Sequence, residues 1–243
     1  MIKGLNSLKN ISFRGLLTAG ILGSTLMMSS CLDDFDGPDA TPAAYITIYQ
    51  GSPDAPAMDI YANANKVNNY PLNYSELLAY SPFYIGDRTF KFSSFNSTTS
   101  LLEKDFTLEQ DVIYSMYVMD EVENLDAILV EDEWKEPVAD SAQVRLVHLS
   151  PDTEEVYLEI EEIEEAITPS VAFGSPSGFQ EIIADIYTVH IKSVETGETL
   201  LTAEDIDLKG NRVYTFVMRG LGTTLESNKK RDLQLITNYI NYN

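Results

Sequence analysis

The chain is short of cysteine, histidine, tryptophan and, above all, positive charge. Its 243 residues hold one Cys, two His, one Trp and 16 Lys or Arg against 38 Asp or Glu, a formal net charge of −22. One cysteine excludes a disulfide within the chain, so stability has to come from an apolar core. Two histidines in unrelated settings leave zinc chemistry and His-activated nucleophiles without parts. The basic deficit repels phosphate and excludes nucleic acid as a partner. No G-x-S-x-G, H-E-x-x-H or Gly-rich phosphate loop occurs. Asp120, Asn124, Asp126 and Glu131 fall at EF-hand spacing, but Val122 takes a ligand position and Leu125 replaces the required Gly, which rejects that loop. Neither a cofactor nor a metal is expected.

Also missing is an apolar run long enough to span a membrane. The longest, Gly15 to Met28, falls short of the roughly 20 residues a spanning helix needs. Lys3, Lys9 and Arg14 precede it and small residues follow, so residues 1–30 read as a secretory signal peptide. The lone thiol now has a role, because Met28-Ser29-Ser30-Cys31 resembles a bacterial lipobox. That resemblance implies acyl chains on Cys31 as the contact with the membrane, each buried CH₂ contributing about 0.8 kcal/mol. Asp33, Asp34 and Asp36 follow at once, and "CLDDFD" resembles the acidic export tag of Bacteroidota surface lipoproteins. Together they imply a protein lipid-anchored in the outer membrane and exposed at the cell surface. Residues 31–44 read as an acidic flexible tether, ending in the Pro- and Ala-rich "GPDATPAA". Loss of the signal removes three basic residues and no acidic ones, leaving 13 against 38, a net of −25.

Roughly 210 residues remain, enough for one large or two small domains. They contain an internal repeat. Ser52-Pro53-Asp54 returns 98 residues later as Ser150-Pro151-Asp152. "YITIYQG" and "VRLVHL" precede the two copies, and "MDIYAN" and "VYLEIE" follow them. Further on, "DRTFKFSSF" matches "IYTVHIKSV" and "VIYSMYVM" matches "RVYTFVM". These blocks read as strands: "DRTFKFSSF" and "IYTVHIKSV" alternate with the period of a half-buried strand, and "RVYTFVM" is apolar on both faces and suits a central strand. "VYLEIEEIEEAI" also has helical spacing, so it reads as strand to about Glu161 and stays open beyond. Proline closes a strand, and Ser and Asp side chains hold a turn, so the tripeptide reads as a structural turn or, more sharply, as a ligand loop present twice.

Both repeats resemble the domain of unknown function 4397 family, whose repeats open on V-R-V-V-H-x-S-P-D-A-P. The first copy keeps Ser52-Pro53-Asp54-Ala55-Pro56 and Asp59 but has Gln50 at the His position. The second keeps His148 and has Thr153-Glu154 in place of Ala-Pro. The resemblance implies tandem, sandwich-like β-domains and no known activity. The expected architecture is all-β: two immunoglobulin-like sandwiches, 45–133 and 143–243, joined by an exposed linker at 134–142, each folding on its own. Asp140-Ser141-Ala142 resembles the Bacteroidota O-glycosylation pattern, which makes Ser141 a candidate acceptor.

What remains is a non-catalytic binding or structural module for a glycan or protein ligand. The alternative is a periplasm-facing lipoprotein enzyme using a carboxylate pair. Fourteen Tyr and ten Phe supply rings that fill cores or stack on ligands. Tyr74, Tyr80, Phe83 and Tyr84 lie among Ser, Pro and Gly in a stretch whose second copy is poorer in rings, and form the candidate ligand face.

Overall fold

The computed structural model describes residues 41–161, 163 and 166–242. The signal peptide, Cys31, Asp33, Asp34, Asp36 and most of the tether therefore lie outside the described residues. From Thr41 onward the chain forms one compact unit. It is all-β, with sixteen strands and two single 3₁₀ turns at Val122–Asn124 and Ser227–Lys229 among the described residues.

The first half is built from an inner and an outer sheet. In the inner sheet β1 (Ala43–Gln50) lies between β4 (Leu77–Tyr84) and β7 (Ile113–Met119), and β8 (Asp126–Glu131) follows β7. The outer sheet runs β3 (Asn65–Lys66), β2 (Met58–Ala62), β5 (Gly86–Ser94), β6 (Ser100–Leu108). The second half repeats this plan. Its inner sheet places β9 (Ser141–Leu149) between β15 (Arg212–Arg219) and the short β11 (Ser175–Pro176) and β12 (Gln180–Ile183), with β16 (Asp232–Ile240) beyond β15. Its outer sheet is β10 (Val156–Ile160), β13 (Asp185–Ser193), β14 (Thr199–Leu208). In both halves the first strand runs parallel to the penultimate one, β1 with β7 and β9 with β15. The ambiguous stretch is strand only to Ile160. Beyond it Ala166 bridges back to Glu159, and Ile163 and Ile167 pack against the second core.

Alternation along each inner strand explains the cores. On β1, Ala44, Ile46 and Ile48 face the outer sheet with Phe90 and Phe92. On β15, Tyr214, Phe216 and Met218 do the same with Val189 and Ile191. The opposite faces of the inner sheets are not wet. Tyr49, Tyr117, Met119, Val147, Leu149, Val217 and Ile236 form a third buried cluster where the inner sheets meet. Strands covered on both faces read as unbroken apolar runs, which is why "RVYTFVM" lacks a polar face. The sheets thus stack in four layers.

A charge is sealed in the middle layer. Arg145 on β9 is 1% exposed and its Nη2 lies 2.6 Å from Asp132 Oδ1. The hydrogen bonds around the pair close a ring. Arg145 Nε donates to Thr215 Oγ1 (2.9 Å), Thr215 to Asn238 Oδ1 (2.7 Å), Asn238 Nδ2 to the Tyr80 hydroxyl (2.9 Å), and Tyr80 to Asp132 Oδ2 (2.6 Å). Ser115 bridges inside it, donating to Asp132 and accepting from Arg145. Each member makes at least one hydrogen bond, and Asp132 Oδ1 meets Arg145 as an ion pair, so the buried charges are compensated. The stretch expected as an exposed linker takes part in the seam. Trp134 stacks on Tyr239 with centroids 5.7 Å apart, Pro137 is buried, and Phe179 lies under the Arg145 guanidinium. The expectation of an open connection overlooked that its one Trp and one Pro could seal a seam.

Candidate functional site

The four rings of the expected ligand face do not share a face. Tyr80 points into the central network, where burial and the neighbouring Asp132 push its phenol far above the ordinary range. Tyr74 is half-buried with the Arg219 guanidinium 5.2 Å from its ring centroid, and burial raises its phenol too. Both belong to contacts between the halves and are lost as ligand platforms. Phe83 turns inward, 5.7 Å from Phe90. Only Tyr84 stands in solvent, 66% exposed. Ser141 is 7% exposed at the start of β9, paired with Ile183, so the folded chain does not present it to a glycosyl transferase.

The two Ser-Pro-Asp elements are braces. The Asp54 carboxylate accepts the Val122 amide at 2.8 Å. Asp152 accepts the Gly222 and Thr223 amides and the Thr223 hydroxyl at 3.0–3.1 Å. Burial alone would raise the Asp152 carboxyl; the Gly222 amide, the Thr223 hydroxyl and Arg231 outweigh it and hold the group below the usual carboxylate range. Each Asp thus ties its turn to the loop after the parallel strand, β7 or β15. The variable position two residues before Ser has one job in both copies. Gln50 Oε1 accepts the Ser52 amide at 2.6 Å, and His148 Nδ1 accepts the Ser150 amide at 3.2 Å. With Nδ1 an acceptor, Nε2 carries the proton and donates to the Thr153 and Glu154 carbonyls. Burial lowers the His148 pKa and keeps the ring neutral.

The buried carboxylates do not pair with each other. Among the described residues these are Asp59 and Asp132, and each is taken by its own cation, Lys66 Nζ at 2.7 Å and Arg145. No group of three or more His, Cys, Asp or Glu among the described residues could hold a metal.

A concave site does exist, on the open side of the first half between β4 and the β2–β3 hairpin. The cleft holds about 310 Å³. Phe83, Pro82 and Val67 line it with apolar surface, Tyr84 stands at one end, and Asn63, Asn65 and Ser81 supply the polar groups. Local structure places each of these. Gly86, at φ +88°, lets the chain turn from β4 into β5, and Arg88 donates to the carbonyls of Tyr84, Ile85 and Asp87 at 2.7–3.1 Å, which fixes the corner that carries Tyr84. Asn63, at φ 53°, caps Thr89 with Oδ1 at 2.9 Å, so its Nδ2 has no partner among the described residues. Asn65 is exposed and likewise uncommitted. A second cleft continues along the same side past Val67 to Asn69 and the 82%-exposed Tyr70.

In a chain with 38 acidic residues the first cleft is lined by none, and no His or Cys reaches it. It can hold and orient a ligand and lacks a general base or a nucleophile with one beside it. The asparagines were missed in the sequence because Asn reads as turn chemistry. The signal was there: residues 60–86 contain five Asn and five Tyr with a single acid, Glu76.

These features define an all-β protein of stacked sandwiches with a groove on its first half. The family model described as "Domain of unknown function (DUF4397)" matches residues 44–159, and over that stretch the chain is similar to that family. The match runs from β1 through β10. No curated protein matches the chain in sequence. Similar solved structures include the carbohydrate-binding module CBMbc (family CBM26) from Eubacterium rectale Amy13K in complex with maltoheptaose, at 9% identity and TM-score 0.25, covering 79% of this chain and 96% of that one. The tip fimbrial protein Mfa3 from Porphyromonas gingivalis is 9% identical at TM-score 0.26, covering 81% and 99%. A putative cell adhesion protein from Bacteroides ovatus is 9% identical at TM-score 0.21, covering 81% and 96%. Likenesses at these TM-scores carry no weight about what this chain binds. No helix among the described residues is long and apolar enough to cross a membrane.

Proposed function

We propose that this protein is a lipid-anchored, cell-surface, non-catalytic binding module that seats its ligand in the side groove of the first half. One observation carries the reading: an aromatic and amide-lined cleft free of carboxylates in a chain crowded with them. Acids cover a surface cheaply and keep it soluble, so a lining without them reflects a demand other than solubility. Exposed Tyr with uncommitted amide donors is the equipment of a recognition site. The anchor rests on the sequence: the lipobox-like Met28-Ser29-Ser30-Cys31 and the acids behind it support acylation and outward export. The 12 residues from Cys31 to Pro42, before β1, span at most about 43 Å when extended, enough to hold the module clear of the headgroups.

The test uses full-length protein displayed on its own cells, wild type against Tyr84→Ala, exposed to glycan and peptide arrays. Binding by wild type and its loss in the variant, with equal protein on both cell types, is the expected result. Absence of any ligand, or binding unaffected by Tyr84→Ala, contradicts the reading.

A further inference from the structure

We infer that the groove takes an internal stretch of a linear, uncharged polysaccharide, an inference that rests on the groove being a binding site at all. Length is the first argument. The Tyr84 cleft and the Tyr70 cleft share Val67 and follow one another beside β4. From Leu77 to Tyr84 that strand covers about 23 Å at the usual rise per residue. A strongly exposed tyrosine marks each cleft, Tyr84 with Asn65 in the first and Tyr70 with Asn69 in the second. A monosaccharide or a chain end would use one cleft; a run of sugar rings uses both, stacking on the phenols while amides meet hydroxyls.

Charge is the second argument. An anionic glycan needs a cation free to turn to it, and the two at the groove already hold other partners. The Arg88 guanidinium donates to three backbone carbonyls, and Lys66 beside the cleft is paired with Asp59 at 2.7 Å. For a cationic ligand the two clefts offer a single carboxylate, Glu76, one oxygen of which already accepts from the Asn73 amide and side chain.

The third argument excludes a peptide that adds a strand. β4 is an edge strand, the usual template for such addition. Its edge is blunted: Pro82 has no N–H, Ser81 Oγ donates to the Ala79 carbonyl at 2.9 Å, and Arg88 occupies the Tyr84 carbonyl.

Calorimetric titration of detergent-solubilised full-length protein tests this, with linear glucose and mannose oligomers of two, four and six units, a polyuronate hexamer and an extended decapeptide as probes. Affinity for one neutral series should rise at least about tenfold from dimer to hexamer. Tyr70→Ala should lower hexamer affinity by a similar factor and leave dimer affinity unchanged, while Tyr84→Ala lowers both; unaltered thermal unfolding shows that both variants fold. Equal affinity at every length, preference for the polyuronate, or binding of the decapeptide that depends on Tyr84 would each overturn the polysaccharide while leaving the groove a binding site. No binding by any probe would overturn both.

Discussion

After β2 the sequence runs Asn63-Ala64-Asn65-Lys66; after β10 it runs Glu161-Glu162-Ile163-Glu164-Glu165. Around these segments the two halves agree closely. Asn68 holds the Ile60 amide as Thr168 holds that of Leu158, and the Tyr114 hydroxyl accepts the Glu109 amide as that of Tyr214 accepts the Lys209 amide. The corner residue, Tyr84 in one half, is the 72%-exposed Ile183 in the other. The scaffold contacts are thus kept while the corner changes from a phenol to an aliphatic and the sequence beside it from amides to acids. That contrast favours the first half for the proposed ligand site, with the second half as its structural partner.

The partnership can be broken at its centre, and this carries the largest expected effect. Arg145→Met leaves Asp132 buried without its cation, and loss of one partner of a buried pair costs about 3–5 kcal/mol. Urea unfolding followed by Trp134 fluorescence should show it. The double variant Arg145→Met/Asp132→Leu should recover part of the loss. A single variant as stable as wild type would mean that the halves do not depend on the shared network.

A smaller effect separates the two turns by pH. His148 has a folded-state pKa below its ordinary value of about 6.5. The unfolded chain therefore binds the proton first, so the stability this group contributes is present above about pH 6.5 and is lost as pH falls toward the folded value. Protonation at Nδ1 also removes the acceptor for the Ser150 amide. Gln50 does the same work in the first half and does not titrate. His148→Gln should flatten the fall in urea midpoint between pH 7.5 and pH 5; an unchanged slope would place the acid sensitivity elsewhere.

Much of this molecule is legible in the sequence. Period-two alternation marks β5 and β13, and the recurring blocks mark β1, β2, β7 and their counterparts. The central layer is not legible, for a physical reason. Arg145 sits in "VRLVHL" where a charge reads as a wet face, and Asp132 sits in an acidic stretch that reads as exposed. Burial of such a pair depends on a partner sheet arriving from the other half, and no local pattern encodes that arrival. The ring cluster misled for a related reason. Tyr80 and Tyr84 lie four residues apart on one strand, but one meets Asp132 across the seam and the other reaches the corner that Arg88 holds open.

The most direct measurement of the contrast between the halves is amide hydrogen exchange on the full-length protein with and without the neutral hexasaccharide that binds best. Slowed exchange over residues 60–88, with no change over 158–183, is the result this account expects. Protection at 158–183, or equally in both halves, would contradict it.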